Sequence, residues 1–286
     1  MKHTLFDRIG HDNAAYRKQV ETRLNGGFQI DNQGEVYCPG ALAVEDFTFI
    51  PTVITYATAS TAAHAISLAV GSRLLTLGGT GTVEGLPVRN SLGGATFPTR
   101  TTSAAQGDQI FVKGAIGVAS NSNFSCPIRA GSLMRFRAVA NLTTITTIIA
   151  SVGLNENVTD PDPSGTAGDG AMFLFVPAAS KADLTIVTGF TDAQHANWII
   201  AEKVNGVDEY TATSVPVVAG QDYELVIDVG ADLLARYYID GVLVHTGDAL
   251  TSGDILTVFA GVETRATSTI PREIVLRTVE LARQWG

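Results

Sequence analysis

The chain has 286 residues, 45% of them hydrophobic and 16% charged, with a formal net charge of −9. That composition can build a core and excludes wholesale disorder. Residues 1–130 hold 10 Lys+Arg against 9 Asp+Glu, a net of +1, while residues 131–286 hold 9 against 19, a net of −10; an acidic half of this kind excludes general binding to nucleic acid or to an anionic membrane.

In chain order, residues 4–24 carry the helical signal. Leu5, Ile9, Tyr16, Val20 and Leu24 form a sparse stripe near 3.6 spacing, Arg8, Arg17, Lys18 and Arg23 line the remainder, and Gly26-Gly27 ends the run. A stripe that thin is no independent domain, so it must dock on its own β core or on another subunit. Residues 28–45 read as an irregular arm. Residues 47–56 are β-rich, with Pro51 favouring an edge. Ala57 to Leu77 fits either a helical turn or a small-residue strand, 78–108 is loop-heavy, and Ile110 to Ser120 reads as a strand.

From residue 131 the pattern becomes regular. Strands are expected at Leu133–Leu142, Thr144–Val152, Ala171–Val176, Leu184–Thr188, Asn197–Lys203, Tyr223–Val229, Ala235–Ile239, Val242–His245, Ile255–Ala260 and Ile274–Leu281. Tyr223, Leu225, Ile227 and Val229 alternate with Asp222, Glu224 and Asp228, the period of a half-buried strand. Asp240-Gly241 between two β-rich runs signals a tight hairpin. Met172 to Phe175 is apolar on both faces and belongs at the centre of a sheet. The expected organisation is an all-β chain: helix and extended arm at 1–45, a smaller β-rich segment at 46–130, and an antiparallel β-sandwich at 131–286.

Chemical motifs are sparse. Asp160, Asp162 and Asp169 lie in an acidic loop that reads as a solvated turn rather than a calcium site. The five histidines (His3, His11, His64, His195 and His245) are too scattered for a His-pair zinc site. No G-x-S-x-G elbow occurs. Gly79-Thr80-Gly81 to Gly85 only faintly echoes a dinucleotide loop, and Pro87 stands where the helix should begin. Cys38 and Cys126, each followed by proline, could pair or stay as free thiols, and two cysteines make no disulfide framework. Met1-Lys2-His3 leads into polar residues with no secretory apolar region, and no run approaches the ~20 apolar residues of a membrane span. Trp198, near Gln194 and Asn197, is the candidate for stacking a sugar, against the ordinary reading of strand aromatics as core. No cofactor and no metal are expected.

Gly170-Ala171-Met172-Phe173-Leu174-Phe175, the Tyr223–Val229 strand, Arg236 to Val244 and Glu273 to Arg277 resemble concanavalin-A-like (laminin-G-like or glucanase-like) jelly rolls over about residues 130–284. That fold serves lectins, glycosidases and inert modules alike. The laminarinase-like branch carries E-x-D-x-x-E on one strand, and here no Glu is followed two positions later by Asp. The overall organisation also resembles tailed-phage virion proteins that cement or decorate capsids. The resemblance implies a non-enzymatic subunit, homotrimeric, clamped to a major capsid protein on the virion surface through its N-terminal helix and β segment. The alternative is a carbohydrate-binding module of a tail or surface protein.

Overall fold

The computed structural model describes residues 29–30, 36–37, 40–46, 75–80, 88–89, 94–99, 108–114, 125–156, 168–183, 189–265 and 270–284. The helix expected over 4–24, the strand expected at Leu184–Thr188 and the turn at 81–87 lie outside them.

The described residues are almost entirely antiparallel strand. They are β1 (Gln29–Ile30), β2 (Val36–Tyr37), β3 (Gly40–Asp46), β4 (Leu75–Thr80), β5 (Val88–Arg89), β6 (Ala95–Pro98), β7 (Gln109–Gly114), β8 (Ser125–Pro127) and β9 (Leu133–Leu142). Then follow β10 (Ile148–Asn155), β11 (Gly170–Phe175), β12 (Asn197–Val204), β13 (Val207–Pro216), β14 (Tyr223–Val229), β15 (Leu234–Ile239), β16 (Val242–Ala249), β17 (Ile255–Thr264) and β18 (Glu273–Gln284). Two short 3-10 turns, Ala178–Asp183 and Gln194–Ala196, join β11 to β12.

Two large sheets face each other. The first runs β13-β12-β11-β10-β17-β7-β4, with β8 also on β17. The second runs β16-β15-β14-β9-β18-β6-β5, with β3 also on β18. The molecule is an antiparallel β-sandwich of jelly-roll type. Strands from residues 40–127 pair with β17 and β18, so the compositional boundary near residue 130 does not divide the sheets.

Side-chain alternation explains the layers. In the second sheet Phe136, Ala138, Leu225, Ile227, Tyr237 and Leu281 point into the common core, and the alternate positions carry arginines and carboxylates. The first sheet is apolar on both sides. Every residue of β10 and β11 is buried. Phe173, Phe175, Val152 and Leu154 join the central core, while Met172, Leu174, Ile149, Ile199 and Phe259 form a second apolar layer on the outer side. A strand buried on both faces must be apolar at consecutive positions, as the GAMFLF run is.

The Asp240-Gly241 hairpin is present. Both residues have positive φ, 51° and 79°, and Ile239 pairs with Val242, the geometry of a two-residue type I′ loop. Asn205-Gly206 makes the equivalent turn between β12 and β13, with φ of 51° and 76°. Strand β13 was not anticipated. Its sequence, VDEYTATSVP, is polar because it lies at the edge of the first sheet. Residues 144–147, expected in a strand, instead lead into β10 at Ile148.

Candidate functional site

The sequence-level candidates divide sharply. Leu5, Ile9, Tyr16, Val20, Leu24, Arg8, Arg17, Lys18 and Arg23 lie outside the described residues, as do Cys38, Asp160, Asp162 and Trp285. Trp198 requires a correction. It is 1% exposed and packs edge-on against Phe173, Phe175 and Tyr223 at centroid distances of 6.4, 6.3 and 5.8 Å. A ring enclosed by three others has no free face for a sugar, and Trp198 is a core residue.

Asp169 is a structural anchor. Its carboxylate is fully buried. One oxygen accepts the Asn205 N–H at 2.8 Å and the other accepts the Thr251 N–H. The residue thereby ties the β12–β13 turn and the loop after β16 to the head of β11. Among the described residues, no group of three or more His, Cys, Asp or Glu is placed to hold a metal ion, and no helix is long and apolar enough to cross a membrane.

Among the described residues, two polar arrangements stand out as places where chemistry can occur. The first bridges the sheets at the open side of the sandwich. Glu202 on β12 is 4% exposed. Its carboxylate accepts the Tyr237 hydroxyl at 3.0 Å and lies 3.1 Å from His245 Nε2. Gly247 makes room for it, since a methyl group there would overlap the carboxylate. Burial pushes the Glu202 carboxyl above its ordinary value, the bonds from Tyr237 and His245 pull it partly back, and Glu209, its direct cross-strand neighbour, adds to the rise. Burial and the Glu202 charge together push the Tyr237 hydroxyl well above its usual range. The side chain of His245 is 20% exposed, so this member of the group meets solvent. A buried carboxyl with an imidazole beside it can store or pass a proton.

The second arrangement covers the outer face of the second sheet, across β15, β14, β9 and β18. Arg135 grips Asp228 through two parallel bonds of 2.6 and 2.7 Å. Arg137 bridges Glu224 and Glu280 at 2.5 and 2.7 Å. Arg277, at a bulge in β18, reaches Asp222 at 2.6 Å, and Asn141 donates to the same carboxylate at 2.6 Å. Partial burial raises the Asp222 carboxyl, but those two hydrogen bonds outweigh it and hold the group below its ordinary value. Tyr238 stands half-buried among them, opposite Val226 on β14. It lies near Arg135 and Arg236. The face is thus a row of planar donors and acceptors, each held in one orientation by a neighbour on the next strand, around one partly open aromatic ring.

No protein-family model matches this chain and no curated protein matches it. Solved structures do match in fold. A protein of unknown function from Shewanella oneidensis MR-1 aligns over 85% of this chain and 86% of its own, with a TM-score of 0.51 at 10% identity. A Bacillus licheniformis β-glucanase aligns over 76% and 95%, with a TM-score of 0.45 at 12% identity. A carbohydrate-binding module from Bacillus subtilis aligns over 72% and 94%, with a TM-score of 0.41 at 13% identity. These neighbours are concanavalin-A-like jelly rolls, and nothing among them indicates a capsid decoration protein.

The expectation of a non-enzyme is corrected by the same comparison. The similar structures are mostly enzymes, among them a transglycosylase, β-glucanases and alginate lyases. At such identities the likeness is one of architecture, and function has to be argued from the site.

Proposed function

We propose that this chain is a glycan-binding β-sandwich whose binding surface is the outer face of the second sheet. The observation that carries the reading is the preorganised platform around Tyr238. Sugar hydroxyls are recognised by planar groups that donate or accept two hydrogen bonds at once, and by the apolar face of an aromatic ring. Here Arg135, Arg137, Asp228 and Glu224 supply such groups on adjacent strands. Their partners hold them in place before a ligand arrives, which limits the side-chain ordering cost of binding. Four arginines (Arg135, Arg137, Arg236, Arg277) face five carboxylates (Asp222, Glu224, Asp228, Asp232, Glu280). That balance suits an uncharged glycan better than a uronate or a sulfate.

Affinity electrophoresis against a panel of neutral and acidic polysaccharides tests the reading. Tyr238→Ala should weaken binding at least about tenfold, the equivalent of about 1.4 kcal/mol, with an unchanged melting temperature. No retardation by any neutral polysaccharide would overturn it. The capsid reading rests on the apolar stripe of residues 4–24, most of the N-terminal segment that would clamp a partner lies outside the described residues, and the charge split between residues 1–130 and 131–286 fits either reading.

A further inference from the structure

We propose that Asn205 is a site of spontaneous deamidation, and that the carboxylate it produces loosens the Asp169 anchor holding two loops to the head of β11. The inference is independent of what the platform binds.

The chemistry begins with the dipeptide. Asn205 is exposed at the first turn position, and Gly206 follows it. A methyl group built on Gly206 would meet nothing within 4 Å. The glycine also presents no side chain of its own to the attacking geometry. Thr251 Oγ donates to Asn205 Oδ1 at 3.1 Å. That bond draws electron density from the side-chain carbonyl carbon and makes it a better electrophile. The Gly206 nitrogen attacks Cγ, the new C–N bond closes a five-membered succinimide, and the Cγ–Nδ2 bond breaks. Ammonia leaves carrying the proton from the attacking nitrogen. Water then opens the ring at one carbonyl or the other, giving aspartate or isoaspartate. No oxidant or reductant takes part.

The setting gives the reaction a structural consequence. The Asn205 N–H donates to one oxygen of Asp169, and the Thr251 N–H to the other. Asp169 is fully buried, and its charge already raises the carboxyl of Asp254, after burial the second influence on that group. A new anion at residue 205 enters a neighbourhood that already holds the buried Asp169 carboxylate, with like charges repelling across a partly dry boundary. The isoaspartate product also adds a carbon to the main chain within a two-residue turn, which type I′ geometry has no room for.

The molecule contains its own control. Asp240-Gly241 forms the same turn, with φ values of 51° and 79° against 51° and 76°. There the carboxylate is useful, because Asp240 Oδ1 accepts the Glu224 N–H at 2.9 Å. One turn is built for an anion and the other beside one.

Ageing the full chain in mildly alkaline buffer and mapping its peptides by mass spectrometry tests the proposal. Conversion at Asn205 should run several-fold faster than at Asn141, Asn155 and Asn197, which sit in strands. The aged protein should melt at a lower temperature. Asn205→Asp should reproduce part of that loss when fresh, and Asn205→Gly should keep its melting temperature through the same ageing. The proposal is overturned if Asn205 stays intact over a period in which the denatured chain converts. It is equally overturned if conversion occurs while the aged protein and Asn205→Asp both melt like the fresh wild type.

Discussion

Replacing Trp198 with alanine separates the two meanings this residue can have. In the structure its indole is 1% exposed and touches three aromatic rings from β11 and β14. A buried Trp hides about 150–250 Å², and at about 25 cal/mol per Å² that is about 4–6 kcal/mol of apolar burial as an upper figure. Alanine recovers a small part by its own burial, and the cavity left behind costs some of the remainder. The expected loss is about 3–5 kcal/mol, a large share of the 5–15 kcal/mol typical of a domain. Trp198→Phe keeps a ring against Phe173 and should lose less than half as much. Urea denaturation followed by far-ultraviolet circular dichroism reads both, and the midpoint should fall while the slope stays constant. A loss below about 1 kcal/mol for Trp198→Ala, accompanied by lost polysaccharide binding in a folded protein, would refute the core assignment.

Tyr223 offers a narrower test. Its hydroxyl donates to the Pro216 carbonyl at 2.7 Å and accepts the Val218 N–H at 2.9 Å. Tyr223→Phe keeps the ring and strands both backbone groups, so thermal unfolding should show a loss of about 1–3 kcal/mol. Glu202 predicts a pH signature. Its folded carboxyl sits above the unfolded value, so the stability it contributes is fully present below the unfolded value and is lost as pH rises through the folded one. Glu202→Gln cannot ionise, so its melting temperature relative to wild type should climb as pH rises above the ordinary glutamate range. A difference that narrows as pH rises would contradict burial as the dominant influence.

Much of the strand architecture was readable from residues alone. The expected Leu133–Leu142 and Tyr223–Val229 strands coincide with β9 and β14, because each has one apolar and one solvated face and therefore a clean period of two. The Asp240-Gly241 hairpin was readable because positive φ at two successive positions narrows the residue choice to a few types. Strand β13 was not, since an edge strand with small and polar residues has no apolar face to announce it. Trp198 was misplaced for a related reason. The run Trp198 to Ala201 is buried on both sides, so alternation could not say which face was inner.

The polar arrangements were out of reach for a different reason. Glu202 stands between Ala201 and Lys203 with no motif around it, and its partners Tyr237 and His245 are 35 and 43 residues away. Glu224 and Asp228 were recognisable as outward-facing, yet which arginine meets which carboxylate depends on the register of β9 against β14 and β18.

What the sequence determined by itself is local: where the chain extends, where it turns, and which side of each strand is apolar. Those follow from backbone sterics and side-chain periodicity, which act over a few residues. Only the tertiary structure decided which strands became neighbours, that a tryptophan would be enclosed rather than displayed, and that a glutamate, a tyrosine and a histidine from opposite sheets would share hydrogen bonds. Those outcomes depend on packing two sheets face to face, where burial and electrostatic energies are summed over residues far apart in the chain.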